Sequence, residues 1–296
     1  MDQSELLAAG IAQVPEQIID LIARGAMFVI NHSGGKDSQA MCLLLRDLVP
    51  VAQRVIVHAD LGEVEWPGAV DHIKATTSGE PLHVCRSRRG LLQMIEDRGM
   101  FPSPKQRQCT SDLKRGPIER TVRHVMAERM AGFPKHRGIP GAAPGRAITA
   151  AEHGANLVVN CMGMRAQESS GRSKLSPFKF SECNSKAGRE WYDWLPIHSL
   201  TTDEVFERIA AAGQAPHWVY AAGMSRFSCC FCIMSSKADL TTAARLNPDL
   251  YRRYVELERS TGQVMIMPSK KQGRRNLEQI TGISAEAAQS EIARVA

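Results

Sequence analysis

No run of this sequence is long and apolar enough to cross a bilayer as a helix, so a helical membrane protein is not expected. The start, Met1-Asp2-Gln3-Ser4-Glu5, lacks the basic and apolar regions of a secretory signal. A cytoplasmic protein is therefore expected. No segment repeats and no low-complexity tail is present, which argues against a solenoid or a disordered arm. Cysteine is absent after Cys232. What is present is a 296-residue chain that is 43% hydrophobic, enough for a sizeable core in one large or two small domains.

The eight cysteines of a chain in a reducing compartment are metal ligands, reactive thiols or core residues before they are disulfides. Net charge is +6, and the excess is uneven. Between Lys105 and Arg146 ten Lys or Arg face three acids, Asp112, Glu119 and Glu128. Arg86, Arg88 and Arg89 lie just before, and Lys270, Lys271, Arg274 and Arg275 form a second basic group. This pattern fits a nucleic-acid surface, and equally a solvated face combined with residues that hold a nucleotide.

Residues Ser33-Gly34-Gly35-Lys36-Asp37-Ser38 follow the apolar run Met27-Phe28-Val29-Ile30. An apolar run ending in a glycine-rich turn predicts a buried strand feeding a loop that opens a helix, here Gln39 to Leu48. Adjacent glycines let backbone amides turn toward an anion, the helix adds the positive end of its dipole, and Lys36 adds a full charge. A nucleotide phosphate site is the expected result. It is not a Walker A loop, which needs four residues between its glycines and a Ser or Thr after the Lys.

Further strands are expected at 54–59, 82–85 and 157–162, and helices at 67–77, 90–98 and 113–129. Residues 3–24 read as one or two helices interrupted near Pro15, and 131–149 and 175–190 as loops. From Thr201 the pattern is helical: 203–212, 237–246, and a helix from Pro248 to about Gly262 with Asn247 as N-cap. Alternating strands and helices predict an α/β fold, a parallel sheet with helices on both faces plus a smaller helical C-terminal part. A nucleotide-binding domain over 1–200 and a helical region over 201–296 are expected.

Ligands of such sheets bind at the carboxyl ends of strands, where Ser33, Asp60 and Gly163 fall. Asp60 is suited to accept from a ribose hydroxyl or an adenine amino group, and equally to cap a turn. Glu63 and Glu65 are near enough in sequence to reach a metal on the phosphates. In Arg107-Gln108-Cys109-Thr110-Ser111-Asp112-Leu113-Lys114-Arg115, Thr110 or Ser111 is a plausible N-cap. Lys114 and Arg115 then oppose the helix dipole unless an anion is near. Gly163-Met164-Arg165-Ala166-Gln167-Glu168-Ser169 follows the 157–162 strand; Arg165 offers a planar fork to phosphate or sulfate, with Glu168 to orient it. Cys229 and Cys232 form a C-x-x-C pair that brings two thiolates to one metal. Cys42 and Cys85 read as core.

The Ser33–Ser38 loop, the 107–115 segment, the Gly-x-Arg-x-x-Glu-Ser turn and Tyr192-Asp193-Trp194-Leu195-Pro196-Ile197 together resemble the phosphoadenosine phosphosulfate (PAPS) reductase and PP-loop ATP pyrophosphatase superfamily, of the adenine nucleotide alpha hydrolase-like fold, over roughly residues 25–260. The resemblance implies that Ser33, Gly34, Gly35, Lys36, Asp37, Ser38, Asp60, Gly163, Arg165 and Glu168 bind the nucleotide. Lys36, Asp37, Lys114 and Arg165 are the implied catalytic groups. It also implies a [4Fe–4S] cluster on Cys109, Cys229, Cys232 and a fourth ligand, for which Cys183 is preferred over Cys161 and Cys230; structural zinc and metal-free thiols are the alternatives. ATP with Mg²⁺ and α–β bond cleavage is the implied chemistry, serving sulfur or redox reactions, including nucleic-acid sulfur modification with DNA or RNA on the basic face. The alternatives are a PAPS or APS reductase releasing sulfite, and a zinc-stabilised nucleotide- or nucleic-acid-binding module. The reductases of this family use a nucleophilic cysteine near the carboxyl end, which this sequence does not have. The oligomeric state is not fixed by these patterns.

Overall fold

Met27–Asn31 contains four consecutive fully buried side chains, which only a strand covered on both faces can accommodate. This is strand β1 of a computed structural model that describes residues 14–77, 79–131, 156–186, 188–268 and 273–286. β2 (Arg54–Asp60), β3 (Leu82–Arg86), β4 (Leu157–Met162), β5 (Phe178–Phe180) and β6 (Glu190–Trp194) complete a six-stranded sheet in the order β3-β2-β1-β4-β6-β5. β1 pairs in parallel with β2 and β4, and β4 with β6; β5 is antiparallel to β6 at the edge. The fold is the expected α/β class, a mostly parallel sheet with helices.

The chain divides into two compact units interleaved along the sequence. The first comprises Met1–His58, Asp71–Val84 and Glu119–Pro216. Its core packs Phe28, Ile30, Ile56, Val159 and Trp194 of the sheet against Ile18, Met41 and Leu45. Burying each such side chain contributes about 1.5–3 kcal/mol. The helices are α1 (Glu16–Ala23), α2 (Lys36–Leu48), α3 (Ala69–Thr77), most of α5 (Gly116–Ala131), and α6 (Thr202–Ala211). Helix α6, read from the sequence as part of a C-terminal helical region, thus belongs to this unit. A capping box starts it: Thr201 Oγ1 accepts from Glu204 N–H, and the Glu204 carboxylate accepts from Thr201 N–H.

The second unit comprises Ala59–Val70, Cys85–Ile118 and His217–Ala296. It is built on α4 (Leu91–Arg98), α7 (Lys237–Leu246), α8 (Pro248–Thr261) and α9 (Leu277–Thr281), with a core around Trp66, Leu92, Phe231, Tyr251, Tyr254 and Leu277. Helix α8 starts at Pro248 and is stopped by Gly262 at φ +63, as its sequence predicts.

Three expectations change. Strands β5 and β6 occupy stretches not read as strands. β5 has three residues, and Trp191 and Trp194 of β6 are both buried, so neither shows the alternation of a half-buried strand. Helix α2 begins at Lys36, so Lys36, Asp37 and Ser38 form its first turn. The basic helix begins earlier, at Gln108 with Arg107 as N-cap, passes through one π-helical turn over Ser111–Arg115 and continues as α5, so neither Thr110 nor Ser111 caps it. Ser111 Oγ instead donates to the Gln108 carbonyl and to Asp112. All but the first residue of the loop read over 131–149, most of the first expected helix, and Lys270 and Lys271 lie outside the described residues; Ala131 ends α5.

Candidate functional site

The turn after β1 is held by its own neighbours. Gly34 sits at φ +85, where a side chain would be strained. Its N–H donates to Nδ1 of buried His32 at 3.1 Å. Ser33 N–H donates to Ser38 Oγ at 3.2 Å, and that hydroxyl donates to the Gly35 carbonyl at 2.8 Å. Gly35, the N-cap of α2, has φ −87 and ψ 162, an extended conformation open to other residues. Of the two glycines, Gly34 alone is required by backbone geometry. With the Gly34 amide engaged, the amides of the first turn of α2 are the groups that lack an intrahelical acceptor and suit a phosphate.

His32 was not anticipated. Burial, reinforced by His58 and His72, lowers its pKa to about 3, so the ring stays neutral and Nδ1 remains an acceptor. His58 Nδ1 donates to the His32 carbonyl at 2.9 Å. The only sequence signal was position, directly between the strand and the loop.

Lys36, Asp37 and Arg165 form one buried charge group. Lys36 Nζ lies 3.0 Å from Asp37 Oδ2 and 5.9 Å from the centre of the Phe206 ring. Arg165 Nε lies 2.6 Å from Asp37 Oδ1. The rest of the guanidinium donates to Gln167 Oε1, the Leu200 carbonyl and Thr202 Oγ1. In this structure Arg165 therefore turns its fork onto the protein rather than outward, and it braces the loop through Asp37. Glu168 accepts from Arg165 N–H at 2.9 Å and pairs with Arg172. Gly163 allows the end of β4 to abut the loop: a Cβ there would stand 3.2 Å from the backbone of Asp37 and Ser38.

The remaining residues of interest lie in the second unit, except Cys183. Asp60 accepts from Gly62 N–H at 2.7 Å and from Arg86 Nε at 3.1 Å. Glu63 pairs with Arg253, and Glu65 accepts from Leu61 N–H. Asp60, Glu63, Arg86, Arg88, Arg89 and Leu113 help to line a cavity of about 360 Å³. Lys114 is part of the π-turn.

Cys109, Cys229 and Cys232 share this unit and act electrostatically on one another. Burial pushes the Cys229 thiol up to about 11, while Lys114 pulls it down. Burial also raises Cys109, again opposed by Lys114. Cys230 is buried beside them, and its N–H donates to the Val64 carbonyl at 2.9 Å. Cys183 belongs to the first unit, exposed, with Sγ 3.5 Å from Ser181 Oγ. Cys161 is a buried residue of β4, and Cys42 is core. Among the described residues no group of three or more His, Cys, Asp or Glu side chains forms a ready metal site. Cys109, Cys229 and Cys232 lie in one partly dry core beside Lys114, a cation that favours thiolate. Buried polar atoms of this core without a partner among the described residues include the hydroxyl of Tyr254 and Nε1 of Trp66. Tyr254 carried no sequence signal of function.

Among the described residues, no helix is long and apolar enough to cross a membrane. No curated protein matches the chain. Solved structures with a similar arrangement include a PAPS reductase from Candida auris in a phosphate complex, at 12% identity over 77% of this chain and 96% of that one, with a TM-score of 0.45. An FMN adenylyltransferase from Candida glabrata is similar at 13% identity over 77% of this chain and 61% of that one, with a TM-score of 0.43. The family model of the phosphoadenosine phosphosulfate reductase domain matches residues 27–235, which spans both the Lys36–Asp37 loop and the Cys229–Cys232 pair. The chain belongs to the PAPS reductase domain family of the PP-loop superfamily and is an enzyme of that type.

Proposed function

We propose that the chain binds ATP with Mg²⁺ at the Ser33–Ser38 loop and cleaves its α–β bond. A substrate oxygen attacks the α-phosphorus, the bond to the β-phosphate bridging oxygen breaks, and pyrophosphate leaves as the substrate is adenylated. The observation that carries this reading is the buried Lys36–Asp37–Arg165 group at the start of α2. A phosphate approaching the first-turn amides would meet Lys36 already fixed in place, which is the preorganisation that stabilises charge developing on a leaving pyrophosphate. Asp37 and Arg165 act as positioning residues for that lysine, while Ser33, Gly34, Gly35, Ser38 and Gly163 shape the turn. Glu168 completes the nucleotide site of this unit in this reading, and Lys114 of the second unit serves the thiols.

In this proposal Cys109, Cys229 and Cys232 would hold an iron–sulfur cluster. When bound, such a group supplies electron transfer or sulfur chemistry. The exposed basic residues Arg88, Lys105 and Arg107 suit a polyanionic acceptor, DNA or RNA. Residues 1–200 then serve mainly the nucleotide and 201–296 contribute the C-x-x-C pair, in a cytoplasmic protein.

A second reading, a sulfonucleotide reductase releasing sulfite, is favoured by the family match alone. The deciding experiment uses anaerobically purified full chain. Pyrophosphate release from ATP is measured with and without DNA or RNA, beside sulfite release from PAPS and APS. Pyrophosphate release is expected, falling about 10²–10³-fold in Lys36→Ala. Undiminished turnover in that variant overturns the loop's role, and sulfite without pyrophosphate establishes the second reading.

A further inference from the structure

Phe28 and Ile30 of β1 face the core of the first unit, and the alternation of a strand puts Asn31 on the other face of the sheet. Asn31 ends β1, two residues before Ser33, and heads a row of polar side chains that crosses the sheet within this unit. Its Nδ2 donates to Asn160 Oδ1 of β4 and to the Cys161 carbonyl, each at 2.7 Å. Asn160 Nδ2 donates in turn to Asp193 Oδ1 of β6 at 2.8 Å. Asp193 also accepts from Trp191 Nε1 at 3.4 Å and lies 3.8 Å from Lys179 Nζ of β5. Hydrogen-bond chemistry permits one direction along this row. The Asp193 carboxylate and the Cys161 carbonyl can only accept, so both amides turn their NH₂ groups to them and Asn31 Oδ1 is left as an acceptor. That oxygen has no donor among the described residues, and it is not one of the polar atoms sealed from solvent. Each bond polarises the next, so the carboxylate at one end strengthens the acceptor at the other.

The acceptor stands beside the loop. Met162, the register partner of Asn31, leads directly into Gly163, where a Cβ would stand 3.2 Å from the backbone of Asp37 and Ser38. This is the carboxyl edge of the sheet, where ligands of parallel sheets bind. We propose that Asn31 Oδ1 is a specificity-determining acceptor for the nucleoside half of the nucleotide, taking a hydrogen bond from a ribose hydroxyl or from the adenine amino group. The inference rests on the ATP reading of the Ser33–Ser38 loop. Phosphate groups offer acceptor oxygens, so the partner of this oxygen is an O–H or N–H of sugar or base, and a phosphate in its place sets oxygen against oxygen. Asp60, expected from the sequence in that role, has its carboxylate engaged by Gly62 N–H and Arg86. Asn160 and Asp193 are positioning residues that hold the Asn31 amide in the one orientation that shows the ligand an acceptor.

The test measures calorimetric binding of four nucleotides to the full chain with Mg²⁺: ATP, 2′-deoxy-ATP, 3′-deoxy-ATP and purine riboside triphosphate, which lacks the amino group. Wild type is compared with Asn31→Leu and Asn160→Leu. Wild type is expected to bind at least one analogue about 3–10-fold more weakly than ATP. Asn31→Leu is expected to lose that factor on ATP and to bind the same analogue as wild type does, which identifies the donor as sugar or base. Asn160→Leu is expected to narrow the same difference between ATP and that analogue, a selectivity that a general loss of stability does not alter. The wild-type arm needs no variant, so it can overturn the proposal even if a variant folds poorly. Equal binding of all four nucleotides by wild type overturns the proposal, as does wild-type affinity for ATP in Asn31→Leu. A loss in Asn31→Leu of the same size for all four also overturns it, because the effect then falls on the loop and not on a ligand donor. Wild type that binds none of the four overturns the ATP reading itself, an outcome distinct from the failure of Asn31 in a protein that binds ATP.

Discussion

The loop at Ser33–Ser38 and the thiol group around Cys229 are both largely buried, and the first is densely paired, with His32 Nε2 the buried side-chain atom there that has no partner among the described residues, whereas the second is sparsely paired. Around the loop, Asp37 is shared by two cations, Gly34 N–H has an imidazole acceptor, and Arg165 makes contacts on every side. Around the thiols, a phenol hydroxyl is left unpaired and the sulfurs are pushed toward the neutral form by burial. A site for a diffusing nucleotide gains by being rigid before the ligand arrives. The thiol core shows no such prior arrangement among the described residues, so the difference teaches which of the two sites the polypeptide organises alone.

Where charges are paired in this way, removing one member leaves a charge imbalance. Asp37→Ala removes the carboxylate that Lys36 and Arg165 share, and their side chains are 5% and 3% exposed. Breaking a buried ion pair from one side costs about 3–5 kcal/mol, so a fall of that size is expected in urea unfolding at neutral pH. A loss below about 1 kcal/mol, the size of an exposed pair, would mean that the three charges are solvated and the contrast fails.

The pairing of the loop's charges was only partly legible in the sequence. The strand, turn and helix around Lys36 could be read because apolar run, glycines and helix follow one another without a gap. Strands β2 and β4 were legible for the same reason: Val55-Ile56-Val57 and Leu157-Val158-Val159 are short apolar runs between turns. Arg165 could be found but not its direction, since its partners Leu200 and Thr202 lie 35 and 37 residues away and nothing local pairs them. β6 was missed because its buried Trp191 and Trp194 are three apart, off the period of two. Tyr254 was invisible because an orphaned hydroxyl is a property of the packed core, not of spacing.

The next test is acid. His32 is neutral in the fold down to about pH 3, whereas in the unfolded chain it protonates near its ordinary 6.5. Between these values the unfolded state binds the extra proton, so stability is full above about pH 6.5 and declines as pH falls toward 3. One such group gives at most about 1.4 kcal/mol per pH unit. His72, also lowered by burial, adds to the same slope. Unfolding midpoints measured from pH 7 to pH 4 are expected to drop more steeply in wild type than in His32→Asn. Parallel slopes would show that His32 is not the acceptor holding Gly34.

Gly34→Ala probes the same loop through the backbone. At φ +85 an alanine is strained by about 1–2 kcal/mol, and the Gly34 to His32 bond weakens as the chain relaxes. Thermal unfolding should report that loss together with weaker ATP binding in calorimetry. Gly35→Ala, at an extended φ of −87, should be milder in stability.

The smallest expected effect has the opposite sign. In metal-free protein, Tyr254→Phe deletes a buried hydroxyl that has no partner among the described residues and keeps the ring against Phe101 and Phe231. Removing an unsatisfied polar group relieves its desolvation, so the variant should be more stable than wild type by about 1 kcal/mol, the lower end of that penalty. Tyr251→Phe breaks existing bonds to Thr281 and Ile283 and should be less stable by a similar amount. Two tyrosines one helical turn apart, changed identically, are thus expected to move urea midpoints in opposite directions. A loss in both would mean that the hydroxyl of Tyr254 is already satisfied without metal, and the thiol core would then be as complete as the loop.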